Sequence, residues 1–248
     1  MMDPLLELLQ RKEPLLDELK PYVFDSEGGV RMLSHPLVIE VFFDPERSAR
    51  VNQFFRYKQQ AKAKALADRD WHNYVFLHER PYRVDAFTDI ADMLGNEDYW
   101  TLLRTVYVDS ENVWQNREDW YELVGSGRAK RDLFSSDDVQ CVFSLPPEQG
   151  GLLPTTVIYR GFRHDEDGLD DGLDGLSWTL DLARAKWFAK RFPHKGGVAM
   201  IAKATVDAEH VVAYITDRGE QEIVVLPWHV SNVTVEEIEE GAGDGNTD

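Results

Sequence analysis

The chain has 248 residues, 43% of them hydrophobic and 11% aromatic, enough to bury an ample core and too apolar for a disordered chain. Its formal net charge is −18 and its pI is near 4.7, which argues against a general nucleic-acid binder because phosphate binding needs a positive surface, although an acidic chain can still carry a local basic face. Cys141 is the single cysteine, so no internal disulfide forms; its apolar neighbours Val142 and Phe143 read as a buried structural thiol in a reducing, cytoplasmic setting.

In chain order, the first half reads mainly as helix. Leu5, Leu8, Leu9, Leu15, Leu16 and Leu19 recur at helical spacing from Pro4 to Leu19, with Asp3 as cap and Pro21 as stop. The leucine pairs are broken by Asp3, Glu7, Arg11, Lys12 and Glu13, so this is neither a signal peptide nor a membrane span. Leu37 to Phe43 is a short apolar run, strand or buried helix. Asp44-Pro45-Glu46 opens a long helix to about Asp68, with Pro45 at its first position. This helix carries Arg47, Arg50, Arg56, Lys58, Lys62, Lys64 and Arg69, either a solvated face or a docking face for RNA or an acidic protein. Further helices are expected near Arg83–Leu94, Asp98–Val106 and Asn112–Val124, the last with Trp114 and Trp120 as core. Ser135 or Ser136 caps one more before Pro146-Pro147.

After Pro154 the texture changes. Thr155–Tyr159, Val198–Thr205, Val211–Ile215, Ile223–Leu226 and Val230–Val235 are Val/Ile-rich runs of strand length. One helix, Asp181 to about Arg191, lies among them. The acidic, Gly-rich end is expected to fray. Between His164 and Asp174 runs a string of acids and glycines without the register of a calcium loop, read as a solvated loop or a flap. The seven histidines show no metal-ligand spacing, so no metal is expected.

Three polar motifs sit on the apolar strands. Val157-Ile158-Tyr159-Arg160-Gly161 ends in a guanidinium, whose planar fork grips phosphate better than an ammonium, followed by a glycine that admits close backbone approach. In Leu176-Ser177-Trp178-Thr179 both hydroxyls face one side of a strand and Trp178 the other, while Thr179 also suits a helix cap. In Glu220-Gln221-Glu222-Ile223-Val224-Val225 two carboxylates lie two residues apart, on one side if the backbone is extended, with Glu222 at the mouth of a buried strand.

In this order the motifs resemble the Arg / Ser-x-Ser(Thr) / Glu-x-Glu signature of the NAD-dependent ADP-ribosyltransferases, over roughly Thr155 to Val235. The resemblance implies an α+β fold. A helical N-terminal region (1–150, of unassigned role) would pack on a C-terminal split β-sheet core of ADP-ribosyltransferase type (151–236), followed by an acidic tail (237–248). It implies NAD as the substrate, Arg160 on phosphate and ribose, and the Gly161 backbone at the nicotinamide carboxamide. Ser177 and Thr179 would brace the NAD pocket, Glu222 would be the catalytic carboxylate that holds the 2′-hydroxyl, and Glu220 would serve the acceptor. The acceptor is a protein or a nucleic acid. The pattern departs from the family before the glutamate pair, where Ile215-Thr216-Asp217-Arg218-Gly219 lacks the usual aromatic and Tyr214 belongs to the preceding strand. Such enzymes occur in phages, toxin systems and bacterial effectors. Two alternatives remain: an inactive fold of the same type serving as an acidic interaction module, and an NAD glycohydrolase.

Overall fold

The computed structural model describes residues 11–41, 44–110, 113–137, 154–164, 172–191, 197–217 and 219–239. Contacts divide the chain into two compact units, Met1–Met93 with Asp109–Asn112, and Leu94–Val108 with Val113–Asp248. The division falls earlier than the change in sequence texture, because the segments around Trp100 and Trp120 group with the strands.

The first unit contains a three-stranded sheet where mainly helix was expected; the run from Leu37, read as strand or buried helix, supplies its third strand. Residues 4–10 of the predicted leucine helix lie outside the described residues, and the remainder forms only a 3-10 turn, Asp17–Tyr22, with Pro21 inside it. Pro14 falls inside the predicted helix and lacks the N–H that an α-helix interior needs, and the Leu15 and Leu16 N–H groups donate instead to the Pro45 carbonyl at 2.9 Å and to Asn52 Oδ1 at 3.1 Å, which accounts for the shortening. Strands β1 (Val23–Asp25), β2 (Arg31–His35) and β3 (Val38–Val41) then pair antiparallel. The first hairpin turns at Gly29, whose φ of +71° favours glycine, while the Ser26 hydroxyl accepts from the Val30 N–H at 3.2 Å. The second is closed by the His35 ring, whose Nδ1 accepts from the Leu37 N–H at 3.0 Å.

Helix α1 (Ala49–Asp68) starts four residues later than Pro45, its expected first position. The Asp44 carboxylate accepts from the Glu46 N–H at 2.9 Å, holding Asp44 to Arg47 as a turn. Val51 and Phe55 of α1 pack on Leu15, Leu19, Leu33, Leu37 and Val38 to make this unit's core. The basic residues along α1 are largely matched by acids: Arg50 with Glu40, Arg56 with Glu13, Lys58 with Glu79 and Lys64 with Asp68. That pattern fits a solvated, ion-paired face. Helices α2 (Trp71–Phe76) and α3 (Arg83–Thr88) complete the unit, α2 being capped by the Asp70 carboxylate on the Asn73 N–H.

The second unit combines helices α4 (Asn96–Asp109), α5 (Arg117–Val124) and α6 (Leu182–Lys190) with six strands. These are β4 (Thr155–His164), β5 (Ser177–Thr179), β6 (Val198–Asp207), β7 (Val211–Ile215), β8 (Glu222–Val225) and β9 (Ser231–Glu237). They form one antiparallel sheet in the order β7-β8-β5-β4-β6-β9. The fold is thus mixed helix and sheet, with helices preceding a six-stranded sheet. Trp100, Tyr107, Trp120 and Phe134 are fully buried together, Tyr107 meeting Trp120 edge-on at 5.2 Å. Trp114 precedes α5 rather than lying in it, stacked under the Arg117 guanidinium. Ser135 and Ser136 are buried, and their hydroxyls accept from the Tyr214 and Thr216 N–H groups of the segment around β7. The helix they were expected to cap falls on residues outside the described ones, as do Cys141 and most of the acidic loop. No helix among the described residues is long and apolar enough to cross a membrane.

Two features of the sheet position the motifs. Strands β4 and β5 share a single aligned pair, Tyr159 with Thr179, whereas β4 pairs with β6 along its whole length. The sheet therefore opens between its two halves beyond that pair. On one face α6 lies flush on β4, because Gly161 leaves room for it: a Cβ there would sit 1.8 Å from the Ala185 carbonyl oxygen. Ala185 and Ala189 keep the contact close against Ala199 and Ile201.

Candidate functional site

The three motifs, far apart in sequence, fall on three contiguous central strands, Arg160 on β4, Ser177 on β5 and Glu222 on β8. Register aligns Tyr159, Thr179 and Glu222 in one cross-strand row, so their side chains share a face. Arg160 is the next residue and leaves β4 from the opposite pleat. Its guanidinium bridges the opening in the sheet: Nε donates to the Gly172 carbonyl at 2.7 Å and Nη1 donates to the Ser177 carbonyl. Gly175 makes this possible, since a Cβ at that position would sit 2.0 Å from Nη2. Burial lowers the Arg160 pKa, while Tyr107, Glu222, Tyr121 and Asp174 favour its charged form.

Glu222 is 5% exposed, the one acid on a strand otherwise made of Ile223, Val224 and Val225. A buried carboxylate is costly unless charged or polar partners hold it. The Tyr107 hydroxyl donates to its Oε1 at 2.7 Å. Tyr107 itself is clamped edge-on by Trp120 and Phe134, so the donor is rigidly placed.

The two glutamates do not share a face through an extended backbone. β8 begins at Glu222, and Gln221 adopts φ +46°, which breaks the alternation between them. Glu220 lies partly exposed in the bend before the strand, and its carbonyl accepts from the Thr179 hydroxyl at 2.6 Å. The same hydroxyl accepts from the Asp181 N–H at 3.1 Å, and the Asp181 carboxylate caps α6 through the Ala183 N–H at 2.8 Å. Thr179 therefore ties the glutamate bend to the start of α6 and has its hydroxyl engaged. Ser177 differs: it is partly exposed, and its hydroxyl makes no hydrogen bond among the described residues. Trp178 points the other way, into a core with Ile158, Phe162 and Ile223, as alternation requires.

Gly161 serves packing. The space beside its Cα is filled by the α6 backbone, which gives this glycine a reason independent of any ligand.

Sequence reasoning missed the support around the glutamates. Tyr107 lies 115 residues from Glu222, and nothing local marks it as more than a core aromatic. The bend before Glu220 is pinned in the same way. Arg104 pairs with Asp217 at 2.7 Å, and the Ser136 hydroxyl donates to the same carboxylate. Burial would raise the Asp217 pKa, but the Ser136 bond and the Arg104 charge outweigh it and hold it below the ordinary carboxylate value. Tyr214 is within β7, as expected, and packs against the sheet core. Among the described residues no group of three or more His, Cys, Asp or Glu side chains is placed to hold a metal ion. Comparison with known proteins adds no relative: no family model, no curated protein and no solved structure matches this chain.

Proposed function

We propose that the protein is an NAD-dependent mono-ADP-ribosyltransferase, cleaving the nicotinamide–ribose bond and passing ADP-ribose to a macromolecular acceptor. The observation that carries this is that Arg160, Ser177 and Glu222 stand on three contiguous strands, with a buried carboxylate and, among the described residues, an unengaged Ser177 hydroxyl on one face and the Arg160 guanidinium bonded to the Ser177 carbonyl. These residue types suit the substrate. NAD brings two phosphates, and the Arg160 Nη2 group has no hydrogen-bond partner among the described residues. Its ribose develops positive charge as the glycosidic bond lengthens, and Glu222 offers a fixed negative charge in a largely water-free setting. Tyr107 holds that carboxylate in place, and Ser177 is available to the nicotinamide riboside. Glu220, on the exposed side of the bend, receives the acceptor. The bonding electrons leave with the pyridinium nitrogen, giving neutral nicotinamide. The acceptor's lone pair forms the new bond at the ribose C1′, and its proton passes to Glu220 or to water.

The test is the fate of doubly labelled NAD incubated with cell extract. Nicotinamide release with label retained on a macromolecule, lost in Glu222→Ala, supports transfer. Release with only free ADP-ribose makes the enzyme a glycohydrolase. No release by the wild type in any extract removes the enzymatic reading and leaves an acidic interaction module.

A further inference from the structure

Helix α6 is an anomaly in this chain. The molecule carries −18 overall, yet the segment Asp181 to Arg191 has Arg184, Lys186, Lys190 and Arg191 against the single acid Asp181, which is spent on the N-cap. Lys186 and Lys190 are exposed and form no ion pair among the described residues, unlike Arg50, Arg56, Lys58 and Lys64 of α1. Between them stands Trp187, 47% exposed. Its ring is flanked by the guanidinium groups of Arg184 at 5.4 Å and Arg191 at 5.1 Å, and Phe188 braces it edge-on at 5.0 Å. A rigid aromatic face set among cations is what base stacking and phosphate contact together require.

The patch adjoins the candidate site. Arg184 Nη2 donates to the Gly219 carbonyl at 3.3 Å, in the bend that leads into Glu220, and the first turn of α6 is tied to Glu220 through Thr179. A ligand lying on α6 therefore ends beside the residue assigned to the acceptor.

Resting on the transferase reading, we infer that the acceptor is a single-stranded nucleic acid held on α6. Its phosphates lie along Lys186, Lys190 and Arg191, and one base stacks on Trp187. A nucleophilic nitrogen or oxygen of a neighbouring nucleotide reaches the ribose C1′ of NAD. It bonds there as nicotinamide departs with the glycosidic electrons and gives its proton to Glu220 or to water. An acidic protein partner matches the charges but not the flanked tryptophan, and a duplex keeps its bases from the ring.

The experiment is fluorescence anisotropy of the full chain with a labelled mixed-sequence single-stranded oligonucleotide across a salt series. Binding that weakens steeply with salt is expected. The double charge reversal Lys186→Glu with Lys190→Glu should weaken it at least about tenfold, as should Trp187→Ala. Circular dichroism checks that these surface variants are folded, and Trp187→Phe, which keeps a stacking ring, should recover much of the affinity. Absence of binding, indifference to the variants, or equal competition by duplex DNA or polyglutamate overturns the inference. Nicotinamide release from NAD without oligonucleotide separates the two claims. Release without oligonucleotide binding removes the α6 site and keeps the enzyme; binding by an enzyme that never releases nicotinamide does the reverse.

Discussion

Gly175→Ala moves the candidate phosphate-binding arginine without touching it. A Cβ at Gly175 would lie 2.0 Å from Arg160 Nη2, 2.1 Å from Cζ and 2.5 Å from Nη1, whereas ordinary contact begins at 3.4 Å. The guanidinium must retreat by about 1.4 Å or swing aside, because the backbone around Gly175 is held by the Trp178 indole N–H on its carbonyl at 3.1 Å. Moving costs the two hydrogen bonds to the Gly172 and Ser177 carbonyls. Water replaces part of them, since Arg160 is only partly buried, and alanine removes some freedom from the unfolded chain. The loss of unfolding free energy is then at most about 2 kcal/mol. A misplacement of this size in a group that orients substrate costs on the order of 100-fold in rate. Six of the seven tryptophans belong to the unit with the six-stranded sheet, so their fluorescence in urea reports its unfolding. The kcat/KM for nicotinamide release reports the site. Unchanged kcat/KM in a folded variant would refute the placement of Arg160, and a stability loss above about 4 kcal/mol would refute its freedom to move.

Tyr107→Phe keeps the edge-on packing with Trp120 but withdraws a hydrogen bond from a buried carboxylate, a loss of about 1.5–3 kcal/mol in urea unfolding. Combining it with Glu222→Gln in a double-mutant cycle should show coupling, and additive effects would mean that the pair does not interact. Gly161→Val has no room on α6, so it should destabilise the sheet unit by about 3 kcal/mol or more; near-neutral stability would contradict the close packing. Burial lowers the pKa of His35, His78 and His229, aided by Lys62 for the first two and by His210 and Arg131 for the last. The unfolded chain then binds protons first, so the stability that is full above the ordinary 6.5 drains away as pH falls through the folded-state values. Denaturation midpoints measured at falling pH should decline in that window, and His78→Gln should flatten the decline; a flat profile in the wild type contradicts it.

Strand runs after Pro154 were legible because β-branched residues cluster there; Val211–Ile215 is unchanged, Ile223–Leu226 shifts to Glu222–Val225, and the longest change takes Thr155–Tyr159 to Thr155–His164. Polar ends such as Arg163 and His164 pair through backbone alone, which apolar patterning cannot register. The first N-terminal hairpin, β1 with β2, was not legible. Val23-Phe24-Asp25 is short and half polar, and its sheet is fixed by turn chemistry at Ser26 and Gly29 more than by hydrophobic alternation. At the site, motif order placed Arg160, Ser177 and Glu222 on strands, but adjacency of those strands depends on long-range pairing. The pairing of Glu220 with Glu222 was misread because a positive φ at Gln221 has no signature in a Glu-Gln-Glu tripeptide. Tyr107, Arg104 and Ser136 act on the site from distant segments, and only tertiary structure brings them there.

The most direct measurement is the structure of Glu222→Gln, expected to bind but not cleave, with NAD. The pyrophosphate should lie against the Arg160 guanidinium, with the nicotinamide riboside in the opening between β4 and β5 beside Ser177 and its 2′-hydroxyl at residue 222. NAD bound away from that opening, or no NAD bound by a folded protein at millimolar concentration, would contradict it.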